Sequence, residues 1–96
     1  MSDAAARVPS FAPGVKFRFD DVRKAWVVLA PERMFVPDAP AVEVLQLVDG
    51  ARREDEIVAA LSAKFGVQVD VMRGDVGGLL GGLADKGVIR WKAGDA

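Results

Sequence analysis

The sequence contains no cysteine, histidine, tyrosine, threonine or asparagine, and serine occurs only at Ser2, Ser10 and Ser62. Without cysteine, the chain cannot have a disulfide framework, a thiol nucleophile or a thiolate-based zinc or iron–sulfur site. Without histidine, it also lacks a common metal ligand and the side chain that most often transfers protons near neutral pH. We therefore expect no catalytic centre and no bound cofactor or metal.

The chain has 96 residues, of which 13 are Lys or Arg, 14 are Asp or Glu and 51% are apolar. This composition is typical of one small, nearly neutral globular domain. The amino terminus has no basic segment followed by an apolar run, as a secretory signal would. No apolar stretch approaches the roughly 20 residues that a membrane span needs. We therefore predict a cytoplasmic protein without a membrane partner.

Hydrophobic periodicity predicts that the fold begins at residue 15. Residues 1–14 contain several alanines, prolines and a glycine without a sustained period, so we interpret them as a flexible lead-in. Apolar residues alternate with polar ones over 15–20, which is typical of a strand with one solvated face. A central strand over 25–30 and a third strand, Arg33–Val36, follow. These three strands predict an antiparallel meander.

Capping residues divide the remaining chain into three helices. Asp38 suits the N-cap of the first helix, which Gly50 ends. The second helix is predicted from Arg53 or Glu54 to a left-handed cap at Gly66. Its apolar residues at intervals of four predict one buried stripe, made of Ile57, Leu61 and Phe65. The third helix is predicted from a cap at Asp70 to Lys86, followed by a short strand or docked tail over 88–91. The last residues, 92–96, are expected to be frayed.

The predicted third helix carries an unusual number of interior glycines, namely Gly74, Gly77, Gly78, Gly81 and Gly82. Each costs about 0.5–1 kcal/mol of helix stability relative to alanine. One interpretation is that they allow close packing on neighbouring elements. Another is that they leave a shallow trough which a ligand fills. Local mobility that binding relieves is compatible with both interpretations.

Several segments, in this order and spacing, resemble the PqqD family of pyrroloquinoline quinone (PQQ) biosynthesis. They are Leu29-Ala30-Pro31-Glu32, Val48-Asp49-Gly50, Glu56-Ile57-Val58-Ala59-Ala60-Leu61 and the glycine-rich segment from Asp75 to Leu83 with its continuation Asp85-Lys86-Gly87-Val88-Ile89. The resemblance covers residues 14–91, so we predict a peptide-recognition domain over 15–91. It implies an α+β fold like a winged helix-turn-helix, with a three-stranded antiparallel meander followed by three helices. It also implies a chaperone without chemistry of its own, which binds the precursor peptide PqqA and presents it to the radical-SAM enzyme PqqE.

The resemblance places the peptide between the third strand and the third helix, added to the free strand edge. The residues that it implies are Arg33, Met34, Phe35 and Val36 on the strand, and Val71, Asp75, Val76, Gly78 and Leu79 on the helix. For Phe35 and Val76 a place in the core is favoured over contact with the peptide, although a strand alternates its faces and the buried face is not fixed by sequence. Arg33 either binds a peptide carboxylate or is a solvated charge that prevents edge aggregation.

Other classes of function fit the sequence less well. In a DNA-binding interpretation the third helix would enter the major groove, yet residues 70–86 carry a net negative charge and no cluster of cations. A catalytic interpretation of Glu54 and Glu56 fails, because a helix start favours ionised carboxylates. A recognition domain of another peptide-modifying pathway stays open. The resemblance also implies a link to PqqC, because some relatives carry this domain behind the PqqC oxidase in one chain.

Overall fold

The computed structural model describes residues 6–92, which form two small antiparallel sheets and three helices. In chain order the elements are β1 (Val8–Phe11), β2 (Lys16–Asp20), β3 (Ala25–Ala30), β4 (Arg33–Phe35), α1 (Ala39–Leu45), α2 (Glu54–Phe65), α3 (Val69–Asp85) and β5 (Ile89–Lys92). Within these residues, no helix combines the length and the apolar character that crossing a membrane requires.

The predicted meander is the larger sheet, with the strand order β2-β3-β4. β3 is central, and Val28 of β3 lies opposite Phe35 of β4. β4 is one residue shorter than predicted, because Val36 precedes Pro37 and lies beyond the last paired residue. The antiparallel strands followed by three helices confirm the predicted α+β fold class.

Two predicted helix caps are confirmed, but the prediction was wrong for the end of α1, which ends at Leu45 and does not continue to Gly50, because the N–H groups of Leu47 and Val48 donate to carbonyls only three residues back in a tighter turn. Asp38 accepts a hydrogen bond from the backbone N–H of Ala41 at 3.0 Å, and Gly66 has the left-handed φ of 65°. The prediction was wrong for the start of α3, which begins at Val69 with Gln68 as N-cap. Asp70 therefore lies in the first turn instead of capping it. At that position its negative charge still interacts favourably with the positive end of the helix dipole.

The interpretation of residues 1–14 as a flexible lead-in is wrong for residues 8–11. They form β1, which pairs antiparallel with β5 and places Pro9 opposite Trp91. A proline is tolerated there because this two-stranded sheet consists of edge strands alone. Residues 1–5 and 93–96, including most of the predicted frayed end, lie outside the described part of the chain. The predicted domain limits stay a prediction.

An ion pair attaches the start of β1 to α2. The Nε of Arg7 lies 2.8 Å from Oε1 of Glu54, whose side chain is only 6% exposed. The backbone N–H of Glu54 donates to the carbonyl of Arg7 at 2.9 Å. The Arg7 guanidinium carbon also lies 3.5 Å from the ring centroid of Trp91 in β5. This group, called the Arg7 clamp below, joins β1, β5 and α2.

One core lies between the inner face of the larger sheet and the helices. Its fully buried members include Val28 of β3, Leu45 of α1, Ile57 of α2 and Leu80 of α3. Side chains four residues apart on α3 share one face, so Met72, Val76 and Leu80 enter this core together. This packing holds α3 in place by one face and leaves the opposite face exposed.

Candidate functional site

The outer edge of β4 is free in the part of the chain that the structure describes. β4 pairs with β3 on one side, and none of the described strands lies on its other side. Its residues alternate between the two faces of the sheet. Phe35 is half-buried and packs against the core, whereas Met34 and Val36 are 39% and 57% exposed. The structure thus shows that Phe35 lies on the buried face of β4, which the sequence left undecided.

The predicted helix residues divide between the core and the surface. Val76 is fully buried, and Leu79 is half-buried against the core. Val71 is 54% exposed, and Asp75 and Gly78 are exposed as well. Because helix positions three and four apart are neighbours, these three residues form one accessible row along the first half of α3.

β4 begins beside the end of α3, and the chain that follows β4 reaches a cavity bordered by the first half of α3, so the two segments run in opposite directions. At one end, an Nη of Arg33 donates to the carbonyl of Lys86, the C-cap of α3, at 3.0 Å. The charged ends of both residues lie over the Phe35 ring, at 5.1 and 5.8 Å from its centroid. At the other end, Asp38 and Asp75 line one cavity. We call the space between β4 and α3 the β4–α3 groove.

The cavity at the second end of the β4–α3 groove has a volume of about 500 Å³ and a mostly apolar lining. It lies between the start of α1, the end of α2 and the first half of α3. Its lining includes Asp38, Glu43, Phe65, Met72, Asp75 and Leu79. Phe65 was predicted to be part of the buried stripe of α2, but it is 50% exposed and borders this cavity. The helical period continues to Phe65, but α2 ends there and the core does not extend so far.

A second recess, of about 520 Å³, lies at the first end of the β4–α3 groove. It is lined by the turn between β3 and β4, the end of α3, the start of β5 and three residues between β1 and β2, namely Ala12, Pro13 and Val15. Its charged residues are Glu32, Arg33, Lys86 and Arg90. Of these, only Arg33 was predicted from the sequence to be a site residue. No local pattern identifies the others, because Glu32 lies far along the chain from Lys86 and Arg90.

Most of the glycines of α3 face open space. A Cβ added at Gly74, Gly78, Gly81 or Gly82 would meet no heavy atom within 4 Å outside the neighbouring helix backbone. At Gly77, by contrast, a Cβ would lie 3.1 Å from Oε2 of Glu54. Close packing therefore explains Gly77 alone. The other four leave the outer surface of the helix low, as the trough interpretation requires.

Two aspartates with a lowered pKa lie in turns outside the groove. The pKa of Asp20 is lowered by hydrogen bonds from the backbone N–H and the side chain of Arg23. The pKa of Asp49 is lowered mainly by the backbone N–H groups of Arg52 and Ala51. Both are carboxylates that accept turn hydrogen bonds, which favour the ionised form. Their lowered pKa values thus have a structural cause. In residues 6–92 there is also no group of three or more side chains suited to holding a metal ion.

A solved structure with the same fold defines the class of protein. The chain matches the solution structure of the PqqD part of Methylobacterium extorquens PqqCD, a functional and stand-alone RiPP recognition element, where RiPP denotes a ribosomally synthesized and post-translationally modified peptide. The TM-score is 0.74 at 38% identity, over 94% of this chain and 95% of that one. The fold is therefore that of a RiPP recognition element.

Comparisons of sequence place the chain within this class. Residues 25–89 match the family model for coenzyme PQQ synthesis protein D. The "PqqA binding protein" of Rhodopseudomonas palustris (strain BisB5) is 44% identical over 81 residues, which are 84% of this chain and 79% of that protein. The chain belongs to the PqqD family, which confirms the resemblance.

One relative carries this domain as part of a longer protein. The bifunctional coenzyme PQQ synthesis protein C/D of Methylorubrum extorquens is 42% identical over 82 residues. These make up 85% of this chain and 22% of that protein. In that relative, a sequence like the present one is thus joined to a C component.

Proposed function

We propose that this protein is a non-catalytic chaperone of PQQ biosynthesis that binds the precursor peptide PqqA in the β4–α3 groove. The free edge of β4 is the observation that carries this proposal. An extended peptide can pair its main chain with that edge, and its alternate side chains can then contact the groove. Membership of the PqqD family and the similarity to PqqA binding proteins support PqqA as the peptide.

The exposed side chains beside this edge suit such a peptide. Met34 and Val36 lie on one face of the strand, and Met adapts readily to apolar partners of varied shape. Leu79 and the open surface at Gly78 supply the opposite wall. Val76 lies beneath the groove in the core and has no exposed surface in the unbound protein, so it supports the floor without contacting the peptide.

The proposed consequence of binding is presentation of PqqA to the radical-SAM enzyme PqqE, which links a glutamate and a tyrosine of the peptide. The chaperone holds the peptide main chain and leaves the segment to be modified outside the groove. We propose the cytoplasm as its location. An association with PqqC, through fusion or contact, is supported by the C/D relative.

The proposal is tested by titrating the isotope-labelled protein with synthetic PqqA and following backbone amides by NMR. We expect the largest shifts at residues 33–36 and 71–79. Val36→Glu places a charge beside the peptide and is expected to weaken binding about tenfold, equivalent to about 1.4 kcal/mol. Val22→Glu is the matched control, since Val22 is 91% exposed in the turn after β2. Equal affinities for the two variants would refute the proposed site.

The role in presentation is tested with PqqE. Addition of the wild-type protein is expected to increase the rate at which PqqE modifies PqqA. Val36→Glu should give a smaller increase at the same concentration, and Val22→Glu should match the wild type. If PqqE modifies PqqA at one rate with and without the protein, the chaperone role is excluded. Binding without acceleration would leave peptide recognition in place and refute presentation.

A further inference from the structure

The two ends of the β4–α3 groove carry opposite charge. The cavity beside α1 is bordered by Asp38, Glu43 and Asp75, and none of its lining residues is a lysine or arginine. The recess at the other end is bordered by Arg33, Lys86 and Arg90, against one carboxylate at Glu32. The whole chain has a formal charge of only −1. The separation of charge along the groove is thus a local feature that net charge conceals.

Several of these charges have no ionic partner among residues 6–92. Asp38 is used as the N-cap of α1, and Glu43 lies 2.6 Å from Lys64. In contrast, no ion pair involves Asp75 or Arg90 among residues 6–92, and both are exposed. Arg33 contacts a carbonyl and a ring, but no carboxylate within the same part of the chain. Each end therefore retains charge that a ligand can neutralise.

The distance between the two ends follows from both walls of the groove. Along the strand side, Arg33 and Asp38 are five residues apart, which corresponds to about 16 Å of extended chain. Along α3, Asp75 and Lys86 are eleven residues apart, which is about 16 Å at the rise of an α-helix. The two measures agree, as expected for elements that lie side by side. An extended peptide would need about five residues to reach from one end to the other.

We propose that the β4–α3 groove selects an extended peptide with an apolar side chain, a lysine or arginine two residues from it, and a carboxylate on the same face about five residues from this pair. The carboxylate lies at Arg33, Lys86 and Arg90. The apolar side chain enters the cavity, and the basic side chain, which points to the same face of the peptide, pairs with Asp75. This inference rests on the proposed function, because it assumes strand addition at β4. It adds that charge order sets the register and the direction of the bound peptide.

The test uses short fluorescent peptides that share one alternating Val-Ser background. One peptide has Leu-Ser-Lys near its start and Glu four residues after the Lys, so that the three side chains share one face; a second has the reverse order, and a third has no charges. Exposed ion pairs each contribute a few-fold in affinity, so we expect the wild type to prefer one charged order about tenfold over the other two. The preference should fall at about 1 M salt, because exposed charges more than about 3 Å apart are then largely screened from each other.

Charge reversal in the protein gives the decisive comparison. The double variant Asp75→Lys with Arg90→Glu should lose most of the preference, because the basic end then has two cations against two carboxylates and the cavity end has gained a lysine. Neither residue belongs to the core, so folding should be retained, which circular dichroism verifies. The matched control is Arg18→Glu with Asp21→Lys, two exposed residues at β2, away from the groove. That control should keep the preference of the wild type.

Failure of this inference is distinguishable from failure of the proposed function. Binding of PqqA is measured first with the same wild-type sample. If PqqA binds and the three designed peptides bind equally, charge selection is refuted and peptide recognition stands. Likewise, charge selection is refuted if the double variant and the control show the same preference. If PqqA does not bind at all, the proposed function itself fails.

Discussion

Replacing Glu54 with glutamine is expected to loosen β1 from the helices, because this carboxylate anchors the Arg7 clamp. The Glu54 side chain is 6% exposed and lies 2.8 Å from the Nε of Arg7, whose side chain is 33% exposed. Glutamine keeps the shape of the side chain and removes its charge. The substitution therefore tests the ion pair with little change in packing.

The magnitude follows from the burial of the two partners. Breaking a fully buried ion pair costs about 3–5 kcal/mol, whereas an exposed pair contributes about 0.2–1 kcal/mol. Because one third of Arg7 is accessible to water, the Glu54→Gln variant should lose about 1–2 kcal/mol of unfolding free energy, close to the value of a hydrogen bond to a charged group. Glu43→Gln is the control. It breaks the pair with Lys64, whose side chain is 57% exposed, and should cost less than about 0.5 kcal/mol.

The assay is equilibrium unfolding in urea, followed by tryptophan fluorescence. A domain of this size has a slope of about 1 kcal/mol/M, so the midpoint of Glu54→Gln should fall by about 1–2 M. Hydrogen exchange should show faster exchange at residues 8–11 than in the wild type. A double-mutant cycle with Arg7→Met isolates the pair. Equal losses for Glu54→Gln and Glu43→Gln, or a coupling below about 0.3 kcal/mol in that cycle, would refute the reasoning.

Two further predictions concern α3 and the β2–β3 turn. Gly74→Ala should raise the unfolding free energy by about 0.5–1 kcal/mol, because a Cβ there meets open space. Gly77→Ala should gain less stability or lose stability in the same urea assay, because its Cβ would crowd Glu54. Equal gains for the two variants would contradict this reasoning. NMR titration should place the pKa of Asp20 below the ordinary value of 3.8. This carboxylate therefore stabilises the turn above that pH and ceases to do so as the pH falls through its lowered pKa; a pKa at or above 3.8 would contradict the turn hydrogen bonds with Arg23.

The sequence predicted those elements whose causes are local. Apolar and polar residues alternate over β2 because one face of this strand is buried. β3 is an uninterrupted apolar run because both of its faces are covered. Asp38 and Gly66 mark helix ends through their own backbone and side-chain chemistry. The start of α3 was misplaced for the same reason: Asp70 is a good capping residue, but Gln68 occupies the N-cap without a side-chain hydrogen bond.

Features that depend on distant residues were not predictable in this way. β1 pairs with β5, at the opposite end of the sequence, and the four residues of β1 include a proline and a serine. Neither their periodicity nor their composition indicates a strand. The Arg7 clamp also joins residues that are distant in the sequence. Nothing near Glu54 distinguishes it from any other acidic residue at a helix start. For the groove, the sequence predicted the strand and helix that form its walls and the cation Arg33, but not Phe65 or the other two cations of the basic end, Lys86 and Arg90.

The glycines of α3 connect stability with recognition. Met72, Val76 and Leu80 hold the inner face of the helix in the core. The four glycines with open surroundings, which lower helix stability, lie on the outer face. Four glycines with open surroundings forgo about 2–4 kcal/mol relative to alanine. A ligand that binds only the folded state adds about 2.7 kcal/mol of stability at a concentration of 100 Kd. The two quantities are similar in size. A bound peptide can therefore restore the stability that the glycines forgo, and the same glycines keep the wall of the groove low enough for the main chain of the peptide to approach it.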